Sequence, residues 1–494
     1  FAGKDEVLLD DSRRMHNKLV SSGCTSELVE AEGMWHAYVL YCIKERACDL
    51  DRINAFLNRF LSHERKLRWM RLDNAAKIYP AAKRRKWNNF FRLSATLCDE
   101  VDKTVLRNAM DVTMRRFPSI AVRLCRGAFW YYLEELSSAP EITDEKSWPL
   151  AHTPFESINE CALRVIVYKN RIAVEFYHAL TDGTGGMVFL KSLLAEYIEQ
   201  KYGVEIPNEC GVLDRLTQPQ EEELEDSFSK NAGSVSVSRN ASTAFKIHYT
   251  PERDDFRHLT TFILDSNAAL AAAKSCGVSL TVYLTSAMLL ALQRIQDEQT
   301  PDKRRQKPIR VVVPVNLRRL FPSRTLRNFV HVIMPEIDPR MGDYEFSEIL
   351  TSVKHQLGLL VTKKNLCAMF TPNVNAERSP LLRVMPLFLK NIAMKLVYDT
   401  VGERTNCLNL SNLGDIKVPD AMRRYVTRFD FILGVQATKP NNCGVLSYNG
   451  KLYMNFIRNT VEPVLEFQFY QVLRELGLHV KVESNGAGNI SDSN

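Results

Sequence analysis

Phe91, Leu93 and Ala95 alternate with Arg92, Ser94 and Thr96, and this two-residue period predicts a strand over 89–96. A helical period follows over 101–117, with Asp99 or Asp102 as its cap and Pro118 as its stop. Strands at 121–124 and 129–134, a hairpin of 162–168 and 172–177 turning at Lys169-Asn170-Arg171, and a helix over 187–202 complete one α/β set. Residues 205–250 break the pattern with Pro207, Gly211, Pro219, an acidic run from Glu221 to Asp226 and a Ser/Asn/Gly stretch, and read as a linker. The pattern then restarts: a strand at 259–264, helices at 267–275 and 281–295, strands at 309–315 and near 330–335, and helices at 346–361 and 381–401. Strands at 407–411, 428–433, 443–448 and 452–458, a helix at 463–476 and a last strand at 479–482 finish it. The tail, 484–494, reads as disordered.

Ahead of these halves, residues 1–64 form a smaller set. It has a strand end at 6–9, a helix over 11–21 capped by Asp10 or Asp11, an alternating stretch at 25–31 and a helix over 49–65. That last helix is marked by Ile53, Phe56, Leu57, Phe60 and Leu61 at helical spacing. Alternating strands and helices predict an α/β fold with two halves of similar size, 65–204 and 251–483, behind an incomplete α/β piece at 1–64. Residue 1 is Phe, and the residues after it read as the inside of a domain, so the chain reads as a fragment at its front.

Composition narrows the function classes. Across 494 residues, 45% hydrophobic and 25% charged, disorder, collagen and coiled coil are excluded as whole-chain descriptions. The net charge of +7 is modest. The basic clusters Lys83-Arg84-Arg85-Lys86 and Lys303-Arg304-Arg305 are short and lack interleaved aromatics, so nucleic-acid binding is not expected. Residues 1–64 hold 8 Lys+Arg and 11 Asp+Glu, which leaves +10 on the remainder and suits an anionic small ligand. The 11 cysteines are odd in number, scattered and without a Cys-x-x-Cys pair. That pattern argues against a disulfide scaffold or a zinc site and for a reducing, cytoplasmic compartment. The longest apolar stretch, 280–292, includes Thr281, Thr285 and Ser286 and is too short to span a bilayer.

The strongest chemical signal is His178-Ala179-Leu180-Thr181-Asp182-Gly183, at the end of an alternating strand and followed by Gly185-Gly186. An imidazole at a strand end can take a proton from an alcohol or amine near neutral pH. Asp182 would orient the loop, and Gly183 would supply a backbone conformation that a side chain forbids. The competing reading is a hydrogen-bonded loop histidine in a Gly-rich turn.

His178 to Gly183 resembles the His-x-x-x-Asp-Gly signature of the condensation-domain or chloramphenicol-acetyltransferase-like superfamily, which includes alcohol acetyltransferases, wax ester synthases and nonribosomal peptide condensation domains. The resemblance covers residues 65 to about 483. Pro314-Val315-Asn316-Leu317-Arg318 with Asn328-Phe329 is similar to the family's Pro-Val-x-x-Arg…Asn segment, and Leu410-Ser411-Asn412-Leu413-Gly414 to its Ser-Asn-x-Gly strand end. Gly444 to Tyr448 with Lys451 to Phe456 resembles its late hairpin. The phrase from Phe176 to Gly186 most resembles alcohol acetyltransferases.

The resemblance implies two α/β halves meeting at a tunnel, with His178 as general base for transfer of an acyl group, acetyl above all, from a thioester to an alcohol or amine. It implies that Asp182 pairs with an arginine, for which Arg318 is the candidate, with a solvated surface arginine as the alternative. Arg318, Asn328, Ser411 and Asn412 would support the tunnel. The backbone from Gly183 to Gly185 and the side chains of Ser411 and Asn412 are all open as oxyanion donors. No permanently bound cofactor is implied. The co-substrate would be acyl-CoA or a thioester on an acyl carrier protein.

Residues 1–64 carry a second resemblance. Gly3 to Ser12 and Gly33-Met34-Trp35-His36 are similar to the end of an α/β-hydrolase of the hormone-sensitive-lipase or acetyl-esterase group. Gapless alignment puts Glu6 at the acid position, with Asp5 one residue off, and His36 at the triad histidine. No Gly-x-Ser-x-Gly occurs in the chain, so this esterase-like part lacks a nucleophile as it stands. Three readings follow: an acyltransferase fused behind an esterase-like fragment; a hydrolase, complete only with its missing front, with the second region as modulator; and a non-catalytic binding module that keeps the tunnel.

Overall fold

Paired strands with one apolar and one polar row need a partner on each side, and the arrangement of those pairs organises the molecule. The computed structural model describes residues 2–4, 7–34, 38, 49–53, 55–56, 67–81, 89–145, 147–152, 154–237, 242–253, 255–398, 402, 404–436 and 439–486. The chain divides into two units, Phe1–Lys66 and Leu67–Asn494.

In the first unit, Ala2–Gly3 pairs in parallel with Glu30–Ala31, and helix Leu9–Ser21 lies between them in the chain. The helix begins two residues before its expected start. Its N-cap is Leu8, with no side-chain capping bond, so neither Asp10 nor Asp11 caps it; both sit in the first turn, where negative charge suits the helix dipole. Of the alternating stretch 25–31, only Glu30–Ala31 meets a partner strand. Glu6 and His36 lie outside the described residues, as do Asp5, most of the expected helix after Phe56, and residues 487–494 of the tail.

In the second unit, Phe90–Leu97 is the hub of a five-stranded sheet in the order Val426–Ile432, Phe90–Leu97, Arg171–Tyr177, Leu163–Tyr168, Ile142–Asp144. Phe91, Leu93 and Ala95 are buried in the core formed with helices Lys103–Arg116 and Gly183–Tyr202. Asp102 caps the first of these by accepting from Thr104 N and Val105 N. Arg92, Ser94 and Thr96 face the other way, into a cavity of about 200 Å³ that also meets Thr261 and Glu483. A separate three-stranded sheet joins Trp69–Arg71, Tyr131–Glu135 and Val122–Arg126.

The later half builds an eight-stranded sheet. Its order is Val330–Ile333, Ile309–Asn316, Leu408–Asp415, Asn441–Tyr448, Lys451–Arg458, His258–Asp265, Lys481–Ser484, with Glu336–Ile337 paired beside Ile309. Ile309–Asn316, Leu408–Asp415 and Asn441–Tyr448 run parallel, and helix Leu280–Gln299 is buried in the second core. Among the described residues no single helix is long and apolar enough to cross a membrane; Ser266–Ser275 and Leu280–Gln299 pass together only as a pair bent by 84°.

In the second unit several sequence expectations differ from the structure. Val426–Ile432 leaves the later half and pairs antiparallel with Phe90–Leu97, so the two halves share a sheet. Residues 205–250 are not a loose connector: they hold helices Glu221–Leu224 and Ser227–Asn231, bury Phe228 and Phe245, and pair Glu223 with Arg116 at 2.5 and 2.6 Å. A helix at Lys363–Arg378 went unpredicted, and the expected helix 381–401 is split into Pro380–Val384 and Leu387–Val397 at Met385-Pro386. Finally, the helix expected from 187 begins at Gly183.

Candidate functional site

The hairpin strand Arg171–Tyr177 ends at the start of this helix, and His178 sits at the junction. Its backbone N–H donates to the Asn89 carbonyl at 2.9 Å, which ties the junction to the hub strand. The imidazole is half-buried. Tyr79, on the short helix Ile78–Ala81, stacks on it with ring centres 4.7 Å apart and planes 18° from parallel, and Phe91 meets it edge-on at 5.1 Å. Burial lowers the pKa of His178 below its usual value, opposed by Asp182 and by hydrogen bonds to Asn328 and to its own backbone carbonyl.

Asp182 is the N-cap of the helix: its Oδ1 accepts from Thr184 N at 3.1 Å and Gly185 N at 3.0 Å. Its Oδ2 accepts from Arg318 Nη1 at 2.8 Å and from Phe329 N at 2.8 Å. The structure thus brings Asp182 and Arg318 together, and Arg318 is no surface residue. Its guanidinium also donates to Thr325 O at 2.9 Å and Arg327 O at 2.5 Å, cross-bracing the loop that follows Ile309–Asn316.

Gly183 and Gly185 matter through space rather than through an unusual backbone angle, since neither has a positive φ. A β-carbon on Gly185 would collide with the Leu326 carbonyl and Thr181 Oγ1. On Gly183 it would come within 2.7 Å of Leu413 Cδ2. Leu413 belongs to Leu408–Asp415, so that strand end, with Ser411 and Asn412, abuts the start of the histidine helix. Asn412 Nδ2 donates to Thr281 Oγ1 at 3.2 Å while its Oδ1 accepts from Gly414 N. Ser411 is buried, in register with Gly444 of the neighbouring strand.

Asn328 stands directly against the histidine, with Oδ1 3.2 Å from His178 Nδ1. Behind it is Asp73, fully buried, with Oδ2 3.3 Å from Asn328 Nδ2 and Oδ1 2.7 Å from Ala76 N. Burial raises the Asp73 pKa to about 6, with Asp226 adding to the rise and Arg327 opposing it. Asp73, Tyr79, Phe91 and Asn316, whose Nδ2 donates to Thr184 Oγ1 at 3.1 Å, were missed as site residues. No spacing in the chain joins them to His178, because each arrives through tertiary contact. The 200 Å³ cavity does not include His178 among its lining residues.

No protein-family model matches the chain, and no curated protein matches it in sequence. Solved structures do match it. The first condensation domain of the calcium-dependent antibiotic synthetase, in complex with a substrate analogue, aligns at a TM-score of 0.54 with 12% identity, over 83% of this chain and 96% of that one. The fold is that of condensation domains. Trichothecene 15-O-acetyltransferase from Fusarium sporotrichioides aligns at 0.50 with 13% identity, over 84% and 96%. The starter condensation domain of rhizomide synthetase, solved with C8-CoA and Leu-SNAC, aligns at 0.51 with 11% identity, over 83% and 93%.

Proposed function

We propose that the second unit is an acyltransferase that moves an acyl group from a thioester to an alcohol or amine, with His178 as general base. One observation carries this reading: a half-buried imidazole whose Nδ1 is engaged by Asn328, which leaves Nε2 for the reaction. The fold shared with condensation domains and with an acetyltransferase supports it.

In the proposed step Nε2 takes the proton of the acceptor O–H or N–H as that atom attacks the thioester carbonyl. The new C–O or C–N bond forms and the carbonyl π pair moves to oxygen. The intermediate then collapses, the C–S bond breaks, and the departing sulfur takes the proton from Nε2. Thr184 N and Gly185 N are occupied by Asp182, which makes the Gly183 N–H and the Ser411 hydroxyl the oxyanion donors of this reading. Asp182 and Arg318 act as positioning residues.

The two substrates approach His178 from opposite sides along a tunnel between the halves. The donor is acyl-CoA or the equivalent arm of an acyl carrier protein, the CoA form being supported by the neighbour solved with C8-CoA. The test is a panel of acetyl to long-chain thioesters against short alcohols, long alcohols and amines, read by free thiol. Wild type should release thiol only with acceptor present, and His178→Ala should lose it by roughly 10²–10⁴-fold. Transfer unchanged in His178→Ala would overturn the reading.

A further inference from the structure

We infer that Asp73 is a positioning residue that fixes which nitrogen of His178 carries the proton, acting through the carboxamide of Asn328. The inference deepens the reading of His178 as base and rests on it. It begins with an asymmetry: a carboxamide has one end that only accepts and one that only donates, and Asn328 is held at both ends. An ionised Asp73 can only accept, so the amide nitrogen of Asn328 must face Asp73 Oδ2, at 3.3 Å. That turns Asn328 Oδ1 toward His178 Nδ1, at 3.2 Å. Oδ1 can only accept, so Nδ1 must carry the hydrogen and Nε2 keeps the lone pair.

Asp73 is built to hold this direction. Its other oxygen is pinned by Ala76 N at 2.7 Å, and the Arg327 guanidinium lies 3.7 Å away. Arg327 is itself anchored on the Arg71 carbonyl at 2.6 Å and the Leu224 carbonyl at 3.3 Å. The charged and titratable groups around Asp73 are Arg327, which favours its ionised form, Asp226, which opposes it, and Tyr79, whose own pKa is raised by burial and by Asp73. Losing the carboxylate frees Asn328 to turn, and a turned amide would donate to Nδ1 and move the hydrogen to Nε2, where it blocks proton abstraction.

The experiment reads the tautomer itself, in substrate-free protein with ¹⁵N-labelled histidine, by long-range ¹H–¹⁵N spectra at pH about 8, with His178→Ala assigning the signals. Wild type should be Nδ1–H. Asp73→Asn, nearly isosteric, should give a mixture or the Nε2–H form, with Asp73→Ser carried alongside should the isostere not fold. Adding Asn328→Asp to Asp73→Asn should restore Nδ1–H, because a carboxylate facing Nδ1 accepts whatever stands behind it. In turnover, Asp73→Asn should lower kcat on the order of 10- to 100-fold with KM little changed, the direction expected for a wrong tautomer. An Nε2–H wild type, or an Asp73→Asn protein that remains Nδ1–H, overturns the inference. No substrate enters the tautomer measurement, so a chain that failed to transfer acyl groups would leave this result standing.

Discussion

Arg318 Nη1 lies 2.8 Å from Asp182 Oδ2, and the same oxygen accepts the Phe329 N–H at 2.8 Å while the other oxygen of Asp182 caps the histidine helix. One carboxylate therefore joins three parts of the site: the helix start, the arginine after Ile309–Asn316, and the segment that delivers Asn328. Both side chains are largely buried, and breaking such a pair strands a charge. Arg318→Ala is expected to lower unfolding stability by about 3–5 kcal/mol in urea titration and to reduce transfer activity. Arg318→Lys should recover less than half of that loss, since an ammonium cannot reach Asp182, Thr325 O and Arg327 O together. A full rescue by lysine would reduce the pair to simple charge neutralisation.

The two glycines of the loop should respond differently. At Gly185 the obstacles are the Leu326 carbonyl and Thr181 Oγ1, which are bonded to each other at 2.6 Å and cannot both retreat without shifting the chain that leads to Asn328. Gly185→Ala should cost about 1–3 kcal/mol and lower kcat on the order of tenfold or more. At Gly183 the obstacle is the free end of Leu413, which can rotate. Gly183→Ala should be the milder variant in both thermal melts and turnover; the reverse order would contradict the packing described.

This contrast shows what was legible in the sequence. His178, Asp182 and the two glycines lie within eight consecutive residues, so their shared role was readable from local spacing. Arg318 came only through resemblance, and the physical reason for its place, four acceptors converging on one guanidinium, was invisible in the chain. Asp73 carried no signal at all: it is one acid in an unremarkable stretch, Leu72-Asp73-Asn74, and becomes part of the site because Asn328 folds over it. The strand expected at 428–433 was recognisable as a strand, yet its partner was not, because pairing across the two halves depends on sheet topology rather than on period. The helix start was misplaced for a related reason. Glycines 183, 185 and 186 argue against a helix by propensity, and the Asp182 cap with close packing overrides them.

Asp73 should also leave a mark on stability. Burial raises its folded pKa to about 6, above the ordinary value of 3.8. A raised group contributes stability that is fully present below the unfolded pKa and is lost as pH rises through the folded value. Wild type should therefore lose stability between about pH 4 and pH 7 relative to Asp73→Asn, by about 1–3 kcal/mol. Parallel urea curves at the two pH values test this, and a pH-independent difference would mean that folding does not raise the Asp73 pKa.

His178 has the opposite sign. Burial lowers its folded pKa below 6.5, so the stability of the neutral ring is present above the unfolded value and lost as pH falls through the folded one. The lowered pKa favours the base form at neutral pH. In wild type the Asp73 titration near 6 adds a second source of acid inactivation. The acid limb of kcat/KM should shift to lower pH in Asp73→Asn, even as the plateau drops; a limb that stays in place would assign it to His178 alone.

The shared sheet gives a last prediction. Phe90–Leu97 is bonded on one side to Arg171–Tyr177 and on the other to Val426–Ile432, which comes from the later half. Residues 67–250 expressed alone would leave the hub strand as an open edge, with unpaired N–H and C=O groups flanked by Phe91, Leu93 and Ala95. Such a fragment should aggregate, or run as broad oligomers in size exclusion with a weak, non-cooperative thermal transition. Co-expression with residues 251–494 should restore a soluble complex, because the missing strand and its register partners return together. A monomeric fragment with a sharp transition would show that the hub strand does not need its crossing partner, and the two halves would then be independent folding units.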